Sequence, residues 1–156
     1  MNKTILGLLL CSCLLIATTV FGRTQDSISK DTTESRYKVG QKWSYKTRRN
    51  EKESYFIVVK VENHPKLGNI IHIAVRDLKM KNPRSPDGIS DKVNHMPCAE
   101  EAINKSAIKI LKEKVDLPDY EEGYNMWREA FDAGRAGIYT ITLAEAVDVM
   151  EASLNQ

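Results

Sequence analysis

A twelve-residue apolar run, Ile5 to Ile16, stands behind a positive charge at Lys3 and ahead of the small residues of Ala17 to Gly22. Positive start, apolar core and small-residue exit together make a secretory signal peptide, with Val20 and Gly22 flanking a cut before Arg23. An uncleaved membrane anchor is the alternative. A span needs about 17–25 residues, and Ile5 to Phe21 reaches only the lower end of that range. Cleavage constrains everything that follows, because the mature chain then keeps one cysteine, Cys98, in an oxidising compartment. No internal disulfide can form, so the domain must be held by its core alone. Roughly 134 residues remain, enough to bury well over half of the unfolded chain's surface.

Leu10-Cys11-Ser12-Cys13 loosely imitates the box before a lipidated cysteine. The apolar sequence continues past Cys13 to Ile16, where a lipidated cysteine would be followed by a polar tether. Both cysteines are therefore read as part of the discarded segment. The protein is expected to be exported, periplasmic or extracellular, and membrane-bound only if the segment is uncleaved or Cys13 is lipidated.

The next stretch, 23–36, holds one large apolar residue, Ile28, and reads as a flexible leader that cannot offset its ordering entropy. A single domain is expected over 37–156. Its first half reads as a meander. Lys42 to Arg48 alternates Trp43, Tyr45 and Thr47 with polar residues, Tyr55 to Glu62 is β-branched and aromatic, and a third strand runs from Asn69 to about Met80. The apolar parity of that strand slips between Val75 and Leu78, which a bulge near Arg76-Asp77 explains. Asn82 to Asp91 reads as a loop.

The second half reads as mainly helical. Cys98 to Lys114 carries Ala99, Ala102, Ile103, Ala107, Ile110 and Leu111 on one stripe. Asp119 and Glu122 form a capping box for a second helix, along which Tyr120, Tyr124, Trp127 and Phe131 recur and which Gly134 stops. A short strand over Gly137 to Ile141 precedes a third helix, opened by a capping box of Thr142 and Glu145. The order is β-β-β-α-α-β-α: an α+β fold, a mostly antiparallel meander with helices packed on it.

The opening Gly40-Gln41-Lys42-Trp43-Ser44-Tyr45 is similar to the first strand of many exported bacterial meander domains. With the stretch Asp119 to Gly137 (DYEEGYNMWREAFDAGRAG), it resembles a family of uncharacterised bacterial proteins over most of the mature chain. That family has no known activity, so the resemblance implies an exported bacterial domain and assigns no catalytic residue.

Composition excludes several classes. A net charge of +2 is too small for a dedicated nucleic-acid binder. The charge is nonetheless divided: 16 basic and 9 acidic residues over 23–95, against 6 basic and 12 acidic over 96–156. The halves can attract one another. Alternatively Lys42, Lys46, Arg48, Arg49 and Lys52 offer a basic surface to an anionic partner.

Chemistry has few candidates. Cys98 falls where a helix is expected to start, which favours a thiolate, and His95 lies three residues earlier as a base. No third residue orients that histidine, and a half-buried structural cysteine is the plainer alternative. His64, His72 and His95 lack the spacing of metal ligands, although folding could bring His72 and His95 together. No phosphate-binding glycine loop, nucleophile elbow or zinc-protease helix occurs, so no cofactor and no metal is implied.

Binding surfaces are the remaining possibility. The stripe Tyr120, Tyr124, Trp127, Phe131 reads as core. If exposed, Trp127 with Arg128 would make a contact hot spot. Both faces of the central strands are apolar. Phe56, Val58, Ile70, His72 and Ala74 are expected on an outer face, where they form an interaction patch unless a helix covers them. The reading is a small, exported, non-catalytic binding protein of inhibitory or immunity type, working through a protein–protein interface or as a homodimer. The alternative is a hydrolase-like enzyme using Cys98 with His95.

Overall fold

Trp43 and Tyr45 point one way and Lys42 and Ser44 the other, as a period of two requires, and both aromatics are buried. They open a sheet seen in a computed structural model that describes residues 34–156. The expected signal peptide over 1–22, its two cysteines and the leader as far as residue 33 lie outside the described residues. Packing starts inside the stretch expected as leader: Ser35 is buried and its hydroxyl donates to Glu100 at 2.8 Å.

Strands β1 (Lys42–Tyr45), β2 (Tyr55–His64) and β3 (Gly68–Arg76) form the expected antiparallel meander. Asp77 then adopts a left-handed conformation (φ 56°), which ends β3 where the apolar parity slips. Beyond it Leu78 and Met80 return to the core, and β4 (Met80–Lys81) pairs with β5 (Ile89–Ser90) in a separate two-stranded ribbon. The loop expected over 82–91 therefore contains a strand.

The sequence reading departs most from the structure after Asp91. Val93–Ala99 is a strand, β6, paired with β3 along the sheet's edge, and Cys98 lies within it rather than at a helix start. Pro97 is tolerated because an edge strand does not need every N–H for its partner. The expected helix over 98–114 shrinks to α1 (Glu100–Ser106), followed by β7 (Ala107–Lys112). Ala107, Ile110 and Leu111 fit a helical stripe, but β1 has an open edge. Pairing there, Tyr45 with Ala107 and Trp43 with Ile110, satisfies backbone groups that a longer helix would leave exposed. The five-stranded sheet has the order β6-β3-β2-β1-β7, antiparallel throughout.

Two helices follow, α2 (Glu121–Asp132) and α3 (Leu143–Leu154). The Thr142–Glu145 capping box of α3 forms as expected, whereas α2 starts at Tyr120 without a side-chain cap, so Asp119 and Glu122 do not make one. Gly134 ends α2 at φ 69°. Of the strand expected over 137–141, only one bridge survives, Tyr139 beside Cys98. Its N–H donates to the Pro97 carbonyl at 2.8 Å, and the Ala99 N–H donates back at 2.9 Å.

The class is thus α+β, with helices on both faces of the sheet. On one face Phe56, Val58, Ile71, Ile73, Val75, Met96 and Cys98 meet Ile103 of α1 and Leu143, Ala146 and Val147 of α3. On the other, Ile57, Val59 and Ala74 are covered by Val115 and Tyr120 ahead of α2. Among the described residues no helix is long and apolar enough to cross a membrane.

Candidate functional site

The second face carries the molecule's polar interior, and a register shift between Val58 and Lys60 creates it. Before the shift Phe56 and Val58 face α1 and α3. After it Lys60 pairs with His72 and Glu62 with Ile70, so Lys60 and Glu62 join His72 beneath α2. A bulge re-aims side chains in just this way. His95 of β6 arrives from the neighbouring strand, and α2 supplies Tyr124, Trp127 and Arg128, whose spacing of three and four places them on one side of the helix. Gly123 lets the helix come close: a Cβ at that position would lie 2.9 Å from the His95 Cβ.

Glu62 is the hub. One carboxylate oxygen accepts from the Tyr124 hydroxyl at 2.5 Å and the other from Arg128 at 3.0 Å, with Lys60 3.7 Å away. Burial alone would raise its pKa, but the Tyr124 hydrogen bond and the charges of Arg128 and Lys60 hold it below the ordinary value. The carboxylate is therefore charged. His72 is fully buried, its Nε2 lies 3.5 Å from Glu62, and its Nδ1 is 2.9 Å from His95 Nε2. Burial, reinforced for His72 by its neighbour His95, lowers both histidines to about pH 4, although Glu62 pulls the other way. Both rings are neutral at pH 7. Trp127 meets His72 edge-on at 4.9 Å, and its indole N–H donates to the Gly137 carbonyl at 2.8 Å, tying the following loop to α2.

His95 and Trp127 also face outward into an open groove of about 480 Å³ between β6, α2 and the 136–139 segment. Pro97, Ile138, Tyr139 and Met150 make its walls largely apolar. A smaller hollow of about 340 Å³ adjoins it across Gly123, bordered by Asp119, Glu122 and the exposed Met126.

Cys98 and His95 are not brought together. Odd and even positions of a strand point to opposite faces, so Cys98 is buried in the apolar core while His95 lies under α2. Burial pushes the Cys98 thiol far up, the reverse of the activation expected at a helix start. The hydrolase pairing fails on geometry.

The expected outer patch is likewise no surface. Phe56, Val58, Ile70, His72 and Ala74 are all essentially unexposed. Phe56 and Val58 lie on the α1/α3 face, because pairing with Val75 and Ile73 fixes their parity, and the segment leading into α2 covers Ala74. Trp127 and Arg128 are half-buried members of the cluster, and Arg128 is engaged by Glu62 and Asp132. In the proposed basic face, Arg48 is taken up by Glu51, Asp148 and Glu151. The two oppositely charged halves do meet there.

Gly123 was not singled out from the sequence, Tyr124 was read only as part of a core stripe, and Glu62 only as the end of a strand. The signal was a pair of polar residues, Lys60 and Glu62, ending an apolar strand, and a glycine inside a helix. Among the described residues no three His, Cys, Asp or Glu side chains gather as a metal site.

The fold and site define an α+β domain with a polar cluster and an adjoining apolar groove under one helix. A scan against protein-family models found no match, and searches against curated proteins and solved structures found no similar chain.

Proposed function

We propose that this is a small, exported, non-catalytic binding protein of inhibitory or immunity type, with the α2 groove as its contact surface for another protein. The observation that carries the reading is the groove itself, apolar-walled and open, beside titratable groups that are occupied with one another. Its volume lies within the range of recognition pockets and accommodates an aromatic side chain. The adjoining hollow carries Asp119 and Glu122, both exposed, so the partner surface that fits it is basic. Export rests on the N-terminal pattern described above.

The test places a photo-cross-linker at Met126, on the rim of the hollow that adjoins the groove across Gly123, or at Ile108, on the far edge strand. One basic protein should cross-link from Met126 and not from Ile108, and excess unlabelled wild type should compete. Equal capture from both positions would overturn the reading, as would any turnover lost on His95→Gln.

A further inference from the structure

The polar cluster dictates which hydrogen-bonding role the groove can offer. Each neutral imidazole has one N–H and one bare nitrogen. His72 Nε2 is buried with no hydrogen-bond partner, and its polar neighbour is the charged Glu62 carboxylate at 3.5 Å. A bare nitrogen there would set a lone pair against an anion, so Nε2 carries the proton. His72 Nδ1 is then an acceptor, and the 2.9 Å contact requires that His95 Nε2–H donate to it. The His95 proton is used, and its Nδ1 is left bare. That atom has no hydrogen-bond partner among the described residues and lies beside Gly123, and both residues line the groove.

We infer that Glu62, acting through His72, locks His95 into its Nε2–H tautomer, so that the groove presents a fixed acceptor at Nδ1 and selects an aromatic anchor carrying a donor, a tyrosine-like phenol. This rests on the groove being the contact surface. Trp127 and Tyr139 supply ring faces and edges for the anchor's body. A phenylalanine anchor fits the same walls but leaves Nδ1 unpaired as water is excluded. Glu62 and His72 are positioning residues.

The first measurement is on the free mature protein: ¹H–¹⁵N correlations of the histidine rings at pH 7. Both His72 and His95 should appear as Nε2–H tautomers, and Glu62→Met should release that bias. The second compares N-acetyl-tyrosinamide with N-acetyl-phenylalaninamide by shifts of the Trp127 indole N–H. The tyrosine probe should bind roughly 2- to 10-fold more tightly, and His95→Phe should erase the difference. A His95 Nδ1–H tautomer, or equal binding of the two probes, overturns the inference and leaves the groove reading standing. If the tautomers are as stated and neither probe binds, the groove reading fails and the anchor fails with it.

Discussion

The two faces of the sheet solve the same covering problem differently. On the α1/α3 face the buried side chains are nearly all apolar, from Phe56 and Val58 to Leu143 and Val147. Its polar exceptions are closed locally: Ser106 donates to Ala102 at 2.8 Å and accepts from the Leu143 N–H at 2.9 Å. On the α2 face a buried histidine, a carboxylate and two cations take the place of a continuous apolar layer, and α2 has no fully buried residue. Packing gives the first face its strength. The second trades packing density for a connected polar network, in which each partner's value depends on the others. The groove opens beside that second, looser face, where a ligand can enter without dismantling the core.

The strongest attack on this contrast is Val58→Asp. An unpaired charge on the apolar face should cost more than about 4 kcal/mol and leave the chain unfolded by circular dichroism. A folded variant with a wild-type urea midpoint would place Val58 outside the core. Next comes Arg48→Ala at the margin of the same face. Arg48 is bidentate to Glu51, with contacts of 2.8 and 2.9 Å, and Glu51 is buried, so removing the cation strands a charge. The expected loss is about 3–5 kcal/mol by denaturant titration. A loss below 1 kcal/mol would mean that Glu51 is solvated or protonated instead.

The α2 face should show itself through pH. His72 and His95 titrate near pH 4 in the folded protein against about 6.5 when unfolded. Between those values the unfolded chain binds more protons, so the stabilisation is complete above about pH 6.5 and is lost as pH falls toward 4. Glu62, Lys60, Arg128 and Tyr124 all face the pair, and His95 is partly solvated, so roughly 2 kcal/mol is the expected total. Urea midpoints across pH 4–7 would read it. A flat profile in the wild type, or an unchanged one in His72→Phe, would remove the pair from the account. The smallest effect is Gly123→Ala, where a Cβ 2.9 Å from the His95 Cβ must push α2 off β6. Helix propensity offsets part of the clash, leaving about 1 kcal/mol of destabilisation and a shifted His95 signal. Stabilisation with an unmoved His95 would show that the helix is not closely docked.

Local pattern carried the elements whose sequence neighbours decide them. The meander, the α3 capping box and the Gly134 stop all follow from period, turn chemistry and backbone freedom within a few residues, whereas the bulge expected near Asp77 is instead the end of β3. The longest helix expected, 98–114, did not. Its stripe suits either a helix or a strand, and only the open edge of β1, some sixty residues earlier in the chain, turns Ala107–Lys112 into β7. The same holds for the site. His72 and His95 were visible as two histidines that folding could bring together, Trp127 as part of a stripe, and Arg128 as its neighbour.

Which face each central residue occupies depends on a one-residue slip between β2 and β3, and a slip inverts parity from that point on. Simple alternation put His72 and Ala74 on the α2 face correctly, and put Phe56 and Val58 with them wrongly, because nothing near Val58 announces the shift. By itself, then, the sequence determined that an apolar two-faced meander and three helical segments would build an α+β domain. Long-range pairing decided the rest: that both faces are covered, that Cys98 is inert in the core, and that His95 meets Glu62 through His72. Such contacts join segments whose own sequences carry no record of one another.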